Sequence, residues 1–333
     1  MKQPCHGGPD ALGAPAHDFS TNSNACGPCP VALQAVRDAD GTRYPDPGYH
    51  ALQQRLAQWH GVDSERILLA ASASEFITRI TILAALGHAR HGQGRVWVPA
   101  HAYADYAHAA LTHGLPVGAD LGQASLIWVA DPSSPYGRSV TDWTVWHDSL
   151  RDDQMLVLDC AYSPLRLSGH DAVPAALRDR LWQLWTPNKA LGLTGVRGAY
   201  AIAPRHQQKQ CQTLRAMGPS WPIGAHGVAM LDAWVLDQSQ AWLRASLDQL
   251  RQWKLQQFDV CVGMGWHVEP GVANFMVARS EDMSLLVPAL RRMGVKLRDT
   301  TSFGVPQAAR LGVLPPASQH ALREAVFQCR SKA

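Results

Sequence analysis

The sequence predicts an α/β protein with a mostly parallel sheet between helices, followed by a smaller α+β domain. Two observations predict this fold class. Up to about residue 202, short uninterrupted apolar segments alternate with longer helical segments, and strands that are buried on both faces have this continuous apolar pattern. From about Gly224, long helical stretches with a few isolated strands replace the alternation, which predicts the second domain.

The individual elements follow from local signals. Pro30 at an entrance predicts a helix over 30–39, and apolar residues on one helical face predict another over 49–60. Strands are predicted at 66–69, 95–98, 126–130, 155–159, 181–186 and 196–202, with helices at 74–86 and 103–113. Later elements are a long helix at 228–258, strands at 273–278, 296–298 and 309–313, and helices at 283–293 and from Ser318.

These elements divide the chain into three parts. Residues 1–35 are predicted to form an irregular arm, because glycine and proline interrupt any periodicity. Residues 36–224 form the predicted large domain, and residues 225–333 form the small domain. We expect the arm to contribute to the small domain and to the active site.

The composition excludes several functional classes. The chain has 333 residues, of which 46% are hydrophobic and 17% charged, as in a compact globule. A net charge of +3 from scattered basic residues argues against a nucleic-acid surface. No signal-peptide pattern and no apolar run of about 18 residues occurs, so no membrane span is expected. Seven separated cysteines without zinc-ligand spacing predict cytoplasmic free thiols and no metal site.

The most informative segment is 186–198, TPNKALGLTGVRG, which follows a predicted strand. Lys189, between small residues after a buried strand, can be desolvated, which favours the neutral, nucleophilic amine. Arg197 can clamp a phosphate through two hydrogen bonds, and Thr186 adds a hydroxyl group. Each residue alone would be ordinary in a surface loop, but their combined spacing predicts a cofactor site.

This segment resembles the Ser/Thr-x-x-Lys…Arg signature of the fold-type I pyridoxal-phosphate (PLP) enzymes, the aspartate-aminotransferase superfamily. The resemblance covers almost the whole chain and implies the fold-type I PLP transferase architecture with PLP as cofactor. It implies that Lys189 holds the cofactor as a Schiff base, that Arg197 binds its phosphate and that Thr186 lies beside it.

Two further strand ends match the same family. Asp159 and Tyr162 lie in LVLDCAY, and the resemblance implies that Asp159 pairs with the pyridine nitrogen, which keeps the ring an electron sink. Tyr162 is then expected near the ring oxygen. Ala73 and Ser74 open the helix after the strand at 66–69, where backbone N–H groups are expected to bind the cofactor phosphate.

Two positions leave the family role open. Ser134 stands where the family has an asparagine that donates to the ring oxygen; a hydroxyl can donate too, but it is shorter, so the contact is direct, water-mediated or lost. The family also stacks an aromatic ring on the cofactor. Strict spacing after Pro99 selects His101 for this role, whereas the aromatic pattern favours Tyr103.

The segment RYPDP, which contains Tyr44, resembles the family's Tyr-Pro-Asp stretch. In the family, that tyrosine reaches the cofactor phosphate of the neighbouring subunit. The resemblance therefore implies a homodimer with shared active sites, in which Tyr44 is a cofactor-binding residue.

The arm points to one branch of the superfamily. CHGG near the start and DFSTNSNACGP after it are similar to the arm of the threonine-phosphate decarboxylases of cobalamin biosynthesis. Histidinol-phosphate aminotransferases share the second stretch but generally not the first. The resemblance implies that His6, Gly7 and Gly8 contact the substrate phosphate and that Asn24 lies near the substrate carboxylate.

Two arginines near the other end complete the expected substrate site. The resemblance assigns Arg310 to the substrate α-carboxylate, which it would bind with two hydrogen bonds, and Arg298 to the substrate phosphate. The sequence therefore predicts a PLP-dependent threonine-phosphate decarboxylase that makes (R)-1-aminopropan-2-yl phosphate or a close analogue, with histidinol-phosphate-type transamination as the alternative. Both reactions use the same lysine, and the orientation of the substrate decides between them.

Two other interpretations belong to different classes. Cys26-Gly-Pro-Cys29 before a helix matches the redox tetrad of thioredoxins, where a helix N-terminus lowers a thiol pKa. No strand or tryptophan precedes it as that fold requires, which makes an oxidoreductase the weaker hypothesis. Ala70 and Ser72 stand where the family's phosphate loop has glycines. These replacements and the one at Ser134 also leave room for a non-catalytic protein with a PLP-enzyme fold.

Overall fold

The computed structural model describes residues 6–91, 94–118 and 120–331. The strands are β1 (His17–Asp18), β2 (Ile67–Ala70), β3 (Val96–Trp97), β4 (Val117–Gly118), β5 (Leu126–Ala130), β6 (Met155–Asp159), β7 (Trp182–Trp185), β8 (Ala199–Ile202), β9 (His267–Pro270), β10 (Phe275–Arg279), β11 (Val295–Lys296), β12 (Arg298–Asp299) and β13 (Ala308–Gly312). The helices are α1 (Pro30–Asp38), α2 (His50–His60), α3 (Ala73–His91), α4 (Ala104–Thr112), α5 (Trp143–Ser149), α6 (Ala175–Arg178), α7 (Gln208–Ala216), α8 (Ala225–Trp234), α9 (Asp237–Gly263), α10 (Met283–Arg292) and α11 (Pro316–Arg330).

The predicted α/β fold class is confirmed by the large sheet. Its strand order is β2-β8-β7-β6-β5-β3-β4. Every neighbouring pair is parallel except those that involve β8, which runs antiparallel to both β2 and β7. The carboxyl ends of β2, β3, β5, β6 and β7 therefore lie at one edge, where open α/β sheets form their ligand sites.

Both faces of this sheet are buried, as the continuous apolar strands predict. Ile67 and Leu69 of β2 belong to the core cluster that packs against α2 and α8. Leu68 and Ala70, which point to the other face, belong to the cluster that packs against α3 and α4. Alternate side chains of β2 thus pack into two separate hydrophobic cores, one on each face of the sheet.

A second, antiparallel sheet has the order β12-β13-β10-β9. Its register places Arg298 directly opposite Arg310, which explains how two arginines from distant sequence positions reach one site. Near the arm, β1 pairs in parallel with β11, with His17 opposite Val295. The arm is thereby joined to the region that carries both arginines.

Some elements differ from the sequence predictions. The predicted helix at 228–258 is two helices, α8 and α9, because Leu236 adopts an extended conformation with ψ of 140° between them. No glycine or proline marks that break. The predicted strand at 296–298 is divided between β11 and β12. The elements β1, β4, β9, α5, α6 and α7 were not predicted. The domain boundaries stay a proposal; the one at residue 35 falls within α1.

Candidate active site

A cavity of about 320 Å³ lies at the carboxyl edge of the large sheet. It brings together residues from the arm, from several strand ends and from the second sheet. The predicted site residues that line it are His6, Gly7, Ala73, His101, Tyr103, Ser134, Asp159, Tyr162, Lys189, Arg197, Arg298 and Arg310.

Lys189 projects into this cavity from the loop after β7. The loop is held by a hydrogen bond from the Leu191 N–H to the Pro187 carbonyl, at 2.9 Å, and by the Cys29 N–H, which donates to the Leu191 carbonyl at 2.8 Å. The Lys189 Nζ lies 5.4 Å from the centroid of the Tyr162 ring. It makes no hydrogen bond or ion pair within the described ranges, so the amine is available for covalent chemistry.

Asp159 ends β6 and lies on the floor of the cavity, with only 7% of its surface exposed. The Tyr106 hydroxyl donates to its Oδ2 at 2.5 Å, and the Ala161 N–H donates to its Oδ1 at 2.9 Å. Burial raises the pKa of Asp159, and these two hydrogen bonds and the nearby Lys189 charge act in the opposite direction. A cationic ring nitrogen bound beside it would favour the ionised carboxylate.

One part of the cavity wall fits a phosphate group. Ala73 begins α3, a helix of 19 residues whose N-terminal N–H groups favour an anion. Arg197 lines the same cavity, and its guanidinium has no hydrogen-bond or salt-bridge partner in the portions of the chain that the structure describes. A guanidinium and a helix N-terminus that line one cavity both favour an anion such as phosphate.

Arg298 and Arg310 occupy the opposite wall and are 4% and 6% exposed. Arg298 donates to the Ser302 hydroxyl at 2.8 Å and to the Asp299 carbonyl at 2.6 Å. Burial lowers the pKa of the Arg310 guanidinium, and the neighbouring Arg298 charge adds to this lowering. A side chain of this type nevertheless stays protonated in proteins, so both arginines favour anionic ligands.

The arm reaches the cavity through His6 and Gly7. A Cβ atom on Gly7 would lie 2.3 Å from the Ser20 carbonyl oxygen, so only glycine allows this close approach. The Gly8 N–H donates to the Ser20 hydroxyl at 2.9 Å. Further along, Asp10 forms ion pairs with Arg291 at 2.6 Å and with Lys296 at 2.8 Å.

Five predicted site residues do not line the cavity. The Asn24 side chain donates to the Ala190 carbonyl at 3.1 Å, which supports the Lys189 loop from behind. The Ser74 hydroxyl donates to Asp105 at 2.6 Å, and the Thr186 hydroxyl is buried without a partner in the described structure. The remaining two are Gly8, held by Ser20, and Tyr44.

Both candidates for the stacking aromatic line the cavity. His101 is held towards the second sheet, with its Nδ1 2.7 Å from the Phe303 carbonyl oxygen. The Tyr103 ring lies between the rings of Tyr106, at 5.6 Å, and His6, at 5.8 Å. Tyr103 is therefore placed beside the residues around Asp159.

Sequence reasoning missed three residues that shape this site. The sequence pattern presents Tyr106 only as part of a helix face, although its hydroxyl holds Asp159. Asn188 lines the cavity with a buried Oδ1 that has no partner among described atoms. Ser20 connects the arm to Arg310. Its position next to Lys189 in the sequence could have identified Asn188. The roles of Tyr106 and Ser20 depend on contacts between distant segments, which no local pattern shows.

The redox hypothesis fails on its physical premise. Cys29 is fully buried, and burial raises the pKa of the Cys26 thiol, whereas a reactive tetrad needs it lowered. Among the described residues, no group of three or more His, Cys, Asp or Glu is arranged to hold a metal ion. Likewise, none of the helices described is long and apolar enough to cross a membrane.

Comparisons with known proteins identify the family of this chain. The family model "Aminotransferase class I and II" matches residues 15–327. The histidinol-phosphate aminotransferase of Ruegeria sp. (strain TM1040) is 27% identical over 334 residues, which cover 92% of this chain and 89% of that protein.

Two solved structures share the fold. The histidinol-phosphate aminotransferase of Sinorhizobium meliloti, solved with PLP, has a TM-score of 0.79 at 21% identity and covers 96% of this chain and 92% of its own. The L-threonine-O-3-phosphate decarboxylase of Porphyromonas gingivalis has a TM-score of 0.78 at 20% identity. The match covers 94% of this chain and 99% of that chain.

The cofactor prediction is confirmed by these findings, and the cavity fits the group. Lys189 offers a free amine, Asp159 a buried carboxylate, and Arg197 with the start of α3 an anion site. The match over residues 15–327, together with this lysine-centred cavity, means that the chain belongs to the aminotransferase class I and II family and is a fold-type I PLP enzyme.

Proposed function

We propose that this enzyme decarboxylates a small amino acid that also carries a phosphate group, with O-phospho-L-threonine as the substrate. One observation carries the proposal: Arg197, Arg298 and Arg310 line a single cavity in which, among the described lining residues, Asp159 is the only acid. Guanidinium groups that line one cavity favour anionic ligands there. The cofactor phosphate, a substrate phosphate and a substrate carboxylate supply them together.

In this proposal the cofactor lies on the side of the cavity near the large sheet. Lys189 would attach it covalently, Asp159 would pair with its ring nitrogen, Tyr162 would serve its ring oxygen, and Tyr103 would stack on the ring. The N–H groups at the start of α3 and Arg197 hold its phosphate, with Ser74 and Thr186 close by. When bound, PLP takes up the electron pair of the substrate bond that breaks.

The substrate lies between the cofactor and the opposite wall. Arg310 binds its carboxylate and Arg298 its phosphate, and His6 and Gly7 close the cavity over it. Gly8 and Asn24 contribute indirectly. The Gly8 N–H holds the arm through the Ser20 hydroxyl, and the Asn24 side chain supports the Lys189 loop through the Ala190 carbonyl. Exclusion of water by the arm strengthens each of these charge interactions.

The residues of the chain then direct the reaction. Arg310 and Arg298 hold the two ends of the substrate, and in this proposal the resulting orientation presents the bond between Cα and the carboxylate for cleavage. After carbon dioxide leaves, the Lys189 side chain donates a proton to the substrate Cα, which completes the amine product.

We also propose a cytoplasmic homodimer with shared active sites. Tyr44 is 78% exposed and stacks on Trp221, with ring centroids 4.4 Å apart. An exposed aromatic pair outside its own chain's cavity is available to a second copy, which supports the expected role of Tyr44 in the neighbouring site.

Incubation of the PLP-loaded enzyme with O-phospho-L-threonine tests the main proposal. We expect carbon dioxide and 1-aminopropan-2-yl phosphate in equal amounts, without added 2-oxo acid. Transfer of the amino group, with turnover only when a 2-oxo acid is supplied, would show that the proposed reaction is wrong.

Histidinol-phosphate-type transamination is the second candidate, because the enzyme of that name from Ruegeria is 27% identical over most of both chains. Histidinol phosphate has a phosphate but no carboxylate, so Arg310 would serve only the 2-oxo acid. In that reaction Lys189 takes a proton from the substrate Cα. Turnover of histidinol phosphate with 2-oxoglutarate, but not of phosphothreonine, would support this candidate.

A further inference from the structure

The hydroxyl of Ser134 is engaged by an arginine. The Arg310 Nη1 donates to the Ser134 Oγ at 2.8 Å, and both side chains line the cavity. The sequence comparison assigns this position a different task, donation to the ring oxygen of the cofactor. The contact in the structure instead connects Ser134 to the wall that faces the substrate.

Arg310 has few other constraints on its orientation. Its Nη2 donates to the Ser20 carbonyl at 3.0 Å, and its Nε is buried without a partner in the described part of the chain. The Phe275 and Phe303 ring centroids lie 5.5 and 5.8 Å from its Cζ. The aromatic rings limit tilting of the guanidinium, but rotation within its own plane is set by hydrogen bonds.

Within residues 6–91, 94–118 and 120–331, no carboxylate forms an ion pair with Arg310. Among the described residues, the Ser20 carbonyl and the Ser134 hydroxyl are therefore the groups that set the rotation of the guanidinium within its own plane. Recognition of a carboxylate by two parallel hydrogen bonds depends strongly on that orientation. Removal of one partner leaves a buried N–H group unsatisfied and the guanidinium free to turn.

We propose that Ser134 is a positioning residue for Arg310 and sets the affinity for substrates with an α-carboxylate, rather than acting on the cofactor ring. The inference rests on the proposed function in that Arg310 binds the substrate carboxylate. It explains why a serine is sufficient here: the short hydroxyl reaches the arginine at hydrogen-bonding distance.

The test compares Ser134→Ala with Ser134→Thr, which keeps the hydroxyl group. Ser163→Ala is the matched control, because the Ser163 hydroxyl donates to the Asp131 carbonyl at 2.6 Å and so supports the same loop without touching Arg310. Each holoenzyme is mixed rapidly with O-phospho-L-threonine, whose binding is read before turnover begins, or with 1-aminopropan-2-yl phosphate, which lacks the carboxylate. Binding is followed by the visible absorption of the cofactor.

We expect Ser134→Ala to weaken binding of phosphothreonine by about 10- to 150-fold, the range for one hydrogen bond to a charged group. Binding of the carboxylate-free ligand should change less than about twofold, and the absorption spectrum of the ligand-free holoenzyme should stay unchanged. Ser134→Thr should restore binding, and Ser163→Ala should keep the ratio of the two affinities. In an Arg310→Lys background the effect of Ser134→Ala should disappear.

A shifted absorption spectrum in ligand-free Ser134→Ala, with both ligands weakened equally, would overturn the inference and return Ser134 to the cofactor. If the wild type binds neither ligand, the proposed function fails separately. The same comparison is then made with L-glutamate and 4-aminobutyrate, which differ by the α-carboxylate. Selective loss of glutamate binding supports the inference in that case, and equal loss contradicts it.

Discussion

The two walls of the active-site cavity differ in how their charged groups are held. On the cofactor wall, neither the Lys189 amine nor the Arg197 guanidinium has a hydrogen-bond or ion-pair partner among the residues described. Both side chains come from the loop after β7. On the substrate wall, Arg298 and Arg310 are already hydrogen-bonded to protein oxygens. Loading of the cofactor therefore supplies the partners that the first wall lacks, whereas the second wall is pre-organised before any ligand arrives.

This difference has a consequence for mutations. Changes on the cofactor wall should remove chemistry while the apoprotein stays stable, because few protein contacts depend on those side chains. Changes on the substrate wall or in the arm should alter affinity instead, since they disturb contacts that orient or enclose the substrate.

The largest effect is expected for Lys189→Ala. Lys189 is the one lysine among the described residues that line the cavity, and its loss should lower turnover of the substrate by roughly 10²–10⁴-fold. Borohydride treatment of the PLP-loaded wild type should add cofactor mass to the peptide that contains Lys189, and the variant should show no such peptide. Lys209→Ala, at an exposed position on α7, is the control. Cofactor mass on another lysine of the wild type would contradict the assignment.

Asp159→Asn should separate activity from stability. Turnover should fall by about 10²-fold, as for loss of one electrostatic partner at a reacting centre. Burial raises the pKa of Asp159 in the folded protein, so its contribution to stability is present at low pH and is lost as the pH rises through the folded pKa. The uncharged variant should therefore melt at an equal or higher temperature than wild-type apoprotein at pH 7.

The difference in melting temperature between Asp159→Asn and the wild type should shrink as the pH falls towards about 4, the ordinary pKa range of an aspartate. Thermal melts of both apoproteins between these pH values measure it. An asparagine can still accept from the Ala161 N–H and pair with the Tyr106 hydroxyl, so the hydrogen bonds are kept. A variant that melts well below the wild type at pH 7 would show that the carboxylate charge stabilises the fold.

On the substrate side, Gly7→Ala should act through the arm. Its Cβ would lie 2.3 Å from the Ser20 carbonyl oxygen, which forces the arm away from the cavity. We expect KM to rise about 5- to 20-fold, equivalent to about 1–2 kcal/mol, with cofactor content unchanged. Faster hydrogen exchange in the arm checks the cause. Gly87→Ala, an exposed helix position with open space around the new Cβ, should leave KM unchanged.

The same contrast decides what the sequence can predict. Lys189 and Arg197 belong to one local pattern after a predicted strand and Asp159 ends another strand, so local signals place these residues near strand ends, and the resemblance adds the role of Asp159. Arg298 and Arg310 are assigned through resemblance alone, and only the β12–β13 register shows why they meet. The contact of Ser134 with Arg310 joins segments that are far apart in the chain, as does that of Tyr106 with Asp159. No local pattern encodes such contacts, because they form when the sheets and the arm pack together.

The smallest effect is expected for Asp10→Asn, which weakens the attachment of the arm without touching the cavity. Arg291 and Lys296 hold the pKa of Asp10 well below its usual range, so the carboxylate is charged throughout the range in which the enzyme can be assayed. Exposed ion pairs contribute little each, and we expect KM to rise only about two- to threefold. Salt screens such pairs, so the difference between wild type and variant should narrow at high ionic strength. If the difference in KM between wild type and variant persists in high salt, Asp10 holds the arm through hydrogen-bond geometry rather than charge. The arm would then be pre-organised in the same way as Arg298 and Arg310.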